Sequence, residues 1–496
     1  MARTQDCRQI AFRCTGCDEP SLEAVDARDA TKYTKRRILA PVLGRCGMFP
    51  HRVQSLMATQ RHQSSAELPP APLDFAFPLA VPGPEVLGAV IMFEAPTPFS
   101  IHLFQALRMV MAWAEGAADS GELFDDEGMR AWEAQVLTTE GVDEALWAPV
   151  GVIAGEMCRP DDVDVPRLAR ACLAITDWAI GHDAHGTALA FAEAAAAAWP
   201  NNARMAWMTG CLFRERGQAP QAGQWFQRAR RVAVWTGDAE VQAIATISAG
   251  NLRVLAGDLP GARETLKSAL RVAKRHRLAE WIPKALHDLF VVSTYAGQFD
   301  EAEGYARQAA TAYGSTDPGL FRLAFDAAYF WTQQGHFTRA FSVLREMEGR
   351  FEDPVQRLRV AATTARAAGA VGESEAFFVA WGEAWELLDS GAVENLRAAA
   401  PLELGLGALS LGLWEQAERA LTTAYAAAET LREGDTLAKA EAALDNLKHR
   451  QAVDHQLRSG GVARPKANDL AGQLARSLIE QRWAPAGHAD AQGAQD

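Results

Sequence analysis

Gly210-Cys211-Leu212-Phe213-Arg214-Glu215-Arg216-Gly217, followed at once by Gln218-Ala219-Pro220-Gln221-Ala222-Gly223-Gln224-Trp225-Phe226-Gln227-Arg228-Ala229, reads as the end of one helix, a glycine turn and the start of a second helix. Ala222, Phe226 and Ala229 follow the turn at spacings that fall on one helical face. The same register recurs along the chain. Gly217, Gly257, Gly297, Gly335, Gly372 and Gly412 succeed one another at intervals of 40, 40, 38, 37 and 40 residues. Self-similarity at such a period marks stacked supersecondary units.

Aligned on the glycine, the neighbours fall into columns. Seven residues before it stand Gly210, Gly250, Phe290, Ala328, Ala365 and Gly405, mostly small, as a close helix crossing requires. Five after it stand Ala222, Ala262, Ala302, Ala340, Phe377 and Ala417. Nine after come Phe226, Leu266, Ala306, Leu344, Trp381 and Leu421, and twelve after come Ala229, Ala269, Ala309, Met347, Ala384 and Ala424. Neither helix of such a unit can bury its apolar stripe alone, so the units must stack. Helix starts agree: Asp317-Pro318 and Asp353-Pro354 set a capping carboxylate before a first-turn proline, and Pro283 and Pro401 mark two further starts.

This order of small residue, aromatic, turn glycine, alanine, bulky residue and alanine resembles the tetratricopeptide repeat, over about residues 168–432. An eroded first copy ends at Pro200, and a degenerate copy surrounds Gly372. The period is longer than the family's usual 34 residues. Lengthened copies of this kind look like the sensor arms of large bacterial regulatory ATPases. The resemblance implies an all-α, right-handed superhelical solenoid with helical caps and a concave binding face.

The expected organisation is an N-terminal extension over residues 1–66, an acidic helical cap over 67–165, the repeat solenoid over 166–450, and a C-terminal helix with a tail over 451–496. The extension lacks periodicity, and Met57 or Met92 could each be the true start. Its Cys14-Thr15-Gly16-Cys17 has zinc-ligand spacing without a second ligand pair. Trp113, Trp132, Trp147 and Trp178 are expected in the core of the cap. Asn468 to Trp483 is amphipathic and expected to cap the other end rather than to lie on a membrane.

Charge is uneven: residues 1–65 carry +5, 66–200 carry -16 and 201–496 carry -2, for -13 overall. The repeat region has no basic block, which argues against nucleic acid as partner, since phosphate neutralisation needs clustered cations. The most apolar stretch, Ile101 to Ala114, is broken by His102, Gln105 and Arg108, and no signal-peptide stretch opens the chain; cytoplasmic residence is expected. Ala408-Leu409-Ser410-Leu411-Gly412 misses the nucleophile-elbow pattern, and His182-Asp183-Ala184-His185 and Asp161-Asp162-Val163-Asp164 read as repeat turn and helix start rather than metal sites. No enzyme, metal or cofactor is therefore expected.

Within each first helix, positions thirteen, ten, six and three before the glycine share the face opposite the packing positions. The outermost set is Arg204, Ile244, Lys284, Arg322, Arg359 and Ala399. With Arg214 and Arg366 the face carries six cations, among them Trp207, Asn251, His287 and Tyr329. A cation near a helix N-terminus opposes the macrodipole, so its recurrence is unexpected for idle surface. The Lys/Asn clamp by which tetratricopeptide proteins hold a terminal carboxylate is not assigned, because Asp288 and Asp326 spoil its pattern. The reading is a non-catalytic scaffold or adaptor that holds a protein or peptide, acidic in character, in this groove. The alternative is the ligand-sensing arm of a bacterial transcriptional regulatory system.

Overall fold

The computed structural model describes residues 90–449, apart from 97–98, 117–125, 140–141 and 392, together with residues 469–483. The Cys14–Cys17 pair, Met57 and both tails lie outside the described residues. No strand occurs among the described residues, and no helix there is long and apolar enough to cross a membrane.

After helical residues 90–94 come α1 (Ser100–Ala114), α2 (Asp126–Thr138) and α3 (Glu144–Met157). Their indoles are buried or half-buried and satisfied locally, Trp113 by the Pro160 carbonyl, Trp132 by His102 and Trp147 by the Val136 carbonyl. The paired helices follow: α4 (Val165–Gly181) with α5 (His185–Ala198), α6 (Ala203–Glu215) with α7 (Ala219–Thr236), and α8 (Ala239–Leu255) with α9 (Leu259–Arg275). Then come α10 (Trp281–Tyr295) with α11 (Phe299–Tyr313), α12 (Gly319–Gln333) with the short α13 (Phe337–Leu344), α14 (Pro354–Val371) with α15 (Ser374–Asp389), and α16 (Ala399–Leu411) with α17 (Trp414–Leu431). Two helices end the chain, α18 (Gly434–Lys448) and α19 (Leu470–Trp483). The result is an all-α solenoid of helix-turn-helix pairs.

Each of the six repeat glycines sits in the turn inside a pair, with φ between 71° and 88°. That left-handed conformation lets the chain reverse in two residues without a Cβ clash. In the eroded first copy Asp183 takes this role at φ 56°, while His182 donates from Nδ1 to the Trp178 carbonyl and stacks on that indole. Starts are capped by Asp164, Asn202, Asp238, Asp258 and Asp353, whose side chains accept from backbone N–H groups of the first turn. Asp317 likewise accepts from Gly319 N at 2.7 Å.

The columns pack as their spacing requires. Every residue five, nine and twelve after the glycine is buried except Trp381, which is half-buried. A Cβ at Gly210, Gly250 or Gly405 would collide with Phe226, Leu266 or Leu421, so the small residue seven before the turn receives the bulky one nine after it. α5, rich in alanine, is buried over most of its length because α1, α4 and α6 surround it.

Two departures from regular stacking matter. Between α11 and α12 the packing loosens, and α19 lies against this joint, touching α11, α12 and α13, with Leu470, Ala471, Leu474 and Leu478 buried. Arg339 bridges Glu303 and Asp469, and Arg350 donates to the Leu478 carbonyl. The amphipathic C-terminal helix thus covers the middle of the stack rather than its end, its apolar face joining one buried cluster with Tyr313, Leu344 and Met347. Further on, α16 packs chiefly on the first helix α14 and barely on α15. Gly369 and Gly407 make this possible, their backbones meeting where any side chain would collide with main chain.

Candidate functional site

In the regular part of the stack, first helices are tied to one another by a polar ladder. Trp207 donates its indole N–H to Ser248 at 3.0 Å, Asn251 donates to Asp288 at 3.0 Å, and His287 Nε2 lies 2.9 Å from Asp326 Oδ2. In register, a residue ten or six before one glycine reaches the residue nine before the next. Ser248, Asp288, Asp326, Thr363 and Glu403 form this column of polar groups. Asp288 and Asp326, which disturb the clamp pattern, are acceptors of the ladder. Burial raises the Asp288 carboxyl above the usual range, opposed by His287, the Asn251 hydrogen bond, Arg322 and Arg214.

Where α16 shifts onto α14, the first-helix faces part and enclose a cavity of about 920 Å³. Its walls come from α10, α12, α14 and α16, with Phe299 at the start of α11, Asn395 and Leu396 in the connection before α16, and Arg432 to Lys439 around the start of α18. Aromatic groups dominate one side: Phe290, Tyr295, Phe299, Phe325, Tyr329 and Phe330. Phe290 and Phe330 meet edge to face at 5.8 Å, and Phe299 tilts against Phe330 at 5.6 Å, so the wall is braced. Burial pushes the Tyr295 and Tyr329 hydroxyls well up, with Asp326 adding to the first and Glu403 to the second. Both phenols therefore remain neutral donors at physiological pH.

The charged lining is mixed. Asp326 is held by His287, and Glu403 accepts from Gln333 at 3.1 Å with Arg366 Nε at 3.8 Å. Lys439 pairs with Asp435 at 2.8 Å, and Glu433 accepts from Thr436. The Arg359 guanidinium stacks over Phe325 at 4.8 Å.

Of the ten residues read from sequence as the groove, Tyr329 and Arg359 line this cavity. Trp207, Asn251 and His287 are buried in the ladder, and Arg366 is buried, bonding the Leu406 carbonyl and Ser410 and facing the Phe337 ring. Arg204 pairs with Glu240 at 3.0 Å, and Lys284 pairs with Glu280 and lies over Trp281 at 4.0 Å. Arg214 is half-buried and Arg322 exposed, away from the cavity lining. Tyr295, Asp326, Gln333, Asn395, Glu403, Arg432 and Lys439 were missed; only the polar column nine before the glycine signals two of them, Asp326 and Glu403.

No protein-family model and no curated protein matches this chain. Among solved structures it is similar to the Rap conjugation gene regulator of the plasmid pLS20 in complex with the Phr* peptide, at 15% identity and a TM-score of 0.40, covering 69% of this chain and 96% of that one. A Rap protein complexed with Competence and Sporulation Factor gives 12% identity and a TM-score of 0.32, covering 74% and 99%. A circular tandem repeat protein gives 13% and 0.17, covering 81% and 97%. At such values these likenesses carry nothing about what this chain binds.

Proposed function

We propose that the chain is a non-catalytic scaffold of tetratricopeptide type that holds a segment of peptide or protein in the cavity between α10 and α18. The observation that carries this reading is the cavity itself, aromatic on one side and polar on the other, built from four successive first helices. Helix axes about 8–10 Å apart give such a wall room for roughly seven to nine extended residues at about 3.3 Å each. Peptide backbone finds donors and acceptors in Thr294, Gln333, Gln334, Thr363 and Asn395, and apolar side chains find the phenyl rings. The charge of the lining supports a partner carrying both signs rather than a purely acidic one, because Asp326, Glu403, Glu433 and Asp435 face Arg359, Arg432 and Lys439.

The test is to pan a library of random dodecapeptides against the full chain and against Thr363→Trp, which fills the cavity from α14. Binders that depend on an open cavity are expected. No binders, or binders indifferent to Thr363→Trp, would refute the reading. The volume also falls in the range of small-molecule sites, about 300–1,000 Å³. A thermal-shift response to small metabolites, without peptide binders, would favour the ligand-sensing arm instead.

A further inference from the structure

Six cations make the first-helix face appear uniformly basic in sequence, yet their surroundings separate them. Arg204 and Lys284 have carboxylate partners, and Arg366 is buried among hydrogen-bond acceptors. Arg214 and Arg322 stand away from the cavity lining. Within the cavity Asp326, Glu403, Glu433, Asp435 and Lys439 each have a hydrogen-bond or ion-pair partner, and Arg432 is engaged as well. Arg359 differs: among the described residues its guanidinium has no carboxylate, carbonyl or hydroxyl partner, only the Phe325 ring beneath it at 4.8 Å.

A guanidinium offers five N–H donors in a fixed fork, and stacking on a ring satisfies none of them. Phe325 supports the guanidinium from one side, at the wall of the cavity that Arg359 lines. The half-buried position, beside two neutral phenols, strengthens attraction to an incoming anion relative to open solvent. A carboxylate matches the fork with two parallel hydrogen bonds.

We propose that Arg359 is the specificity-determining residue of the cavity and receives one carboxylate of the bound segment, an Asp or Glu side chain next to an apolar residue that enters the aromatic wall. This deepens the proposed function and rests on it. A single acidic position is required, not an acidic ligand, because the remaining charged lining is net acidic, Asp326, Glu403, Glu433 and Asp435 outnumbering Arg432 and Lys439.

The experiment pans random dodecapeptide libraries, one with free and one with amidated C-termini, against wild type, Arg359→Met, Arg359→Lys and, as a control outside the cavity, Arg322→Met. Circular dichroism melting confirms that each variant folds. Wild type and Arg322→Met are expected to enrich one Asp or Glu beside an aromatic or aliphatic residue in both libraries. Arg359→Met should lose that enrichment and bind the selected peptides about ten- to a hundredfold more weakly, as loss of a charge-assisted anchor implies. Arg359→Lys should fall between them, since it keeps the charge and loses the fork. Enrichment that survives Arg359→Met, or binders without a preferred acid, would overturn the inference while leaving the scaffold reading intact. Enrichment confined to free C-termini would overturn the side-chain assignment in favour of a terminal carboxylate. No binders to wild type would refute the proposed function itself.

Discussion

Adding one methyl group at three helical glycines should change stability with different signs. Gly304 in α11 has nothing within 4 Å of where a Cβ would stand, so Gly304→Ala gains only the helix-propensity difference, about 1 kcal/mol. At Gly250 the Cβ would lie 2.8 Å from Leu266 Cγ and Cδ2, a side chain that can rotate away at some cost in packing. Overpacking of about 1–3 kcal/mol against about 1 kcal/mol of propensity leaves Gly250→Ala between neutral and mildly destabilised. Gly407 is different in kind. Its Cβ would stand 2.5 Å from the Ala365 carbonyl oxygen and 3.1 Å from Arg366 Cα, and neither can yield without moving α14. Separating α14 from α16 by even a few tenths of an ångström weakens dispersion along the whole crossing. The cost then reaches the top of the overpacking range, and the net loss is about 2 kcal/mol after propensity is returned. Urea unfolding followed by circular dichroism reads all three, and Gly407→Ala should melt about 2–3 °C lower, the shift being small because the unfolding entropy of so long a stack is large. Because this crossing shapes the cavity, Gly407→Ala should also weaken any cavity ligand. If Gly407→Ala proved as stable as Gly304→Ala, the close contact of α14 and α16, and the cavity derived from it, would be wrong.

Asp326→Ala leaves His287 buried without its partner and should cost about 1–3 kcal/mol in urea unfolding, whereas exposed Arg322→Ala should cost within about 0.5 kcal/mol. Leu474→Asp places a charge in the buried face of α19 and should raise hydrogen exchange over residues 470–483 first; unchanged protection there would mean that the helix is not held by this face. Burial raises the Asp177 carboxyl to about 6 from its ordinary 3.8, so its favourable contribution is present below about 4 and is lost as pH rises through about 6. Asp177→Asn should accordingly stabilise the protein at pH 8, by up to about 1 kcal/mol once solvent screening is allowed for, and the gain should vanish on acidification to pH 4. Cys172 is buried with its thiol pushed up to about 12, and Cys158 is half-buried at about 11; iodoacetamide at pH 8 should label Cys158 slowly and Cys172 only on unfolding.

The repeat was legible because its cause is local. A left-handed glycine, a carboxylate cap and a small residue opposite a bulky one are each set within a single unit, and Gly250 against Leu266 shows the column arithmetic reproduced in space. The face given to the groove also follows from local periodicity. What its side chains meet does not, because that depends on the neighbouring unit: the periodicity offers Asn251 as a recognition group, whereas Asp288, 37 residues on, accepts from it. The docking of α19 depends on still more distant residues, with Arg339 and Asp469 separated by 130 positions. Gly407 falls five residues before its turn glycine, outside every column, and Gly369 falls three before its own, in the column assigned to the groove face, so an alignment on the repeat does not bring the two together. Yet these two residues let α16 leave its regular place. A perfectly regular stack would carry the first-helix ladder onward and leave the acids at nine before the glycine tied only to their neighbours. The cavity opens where that regularity fails, which is why the repeat could be read from the sequence and the site could not.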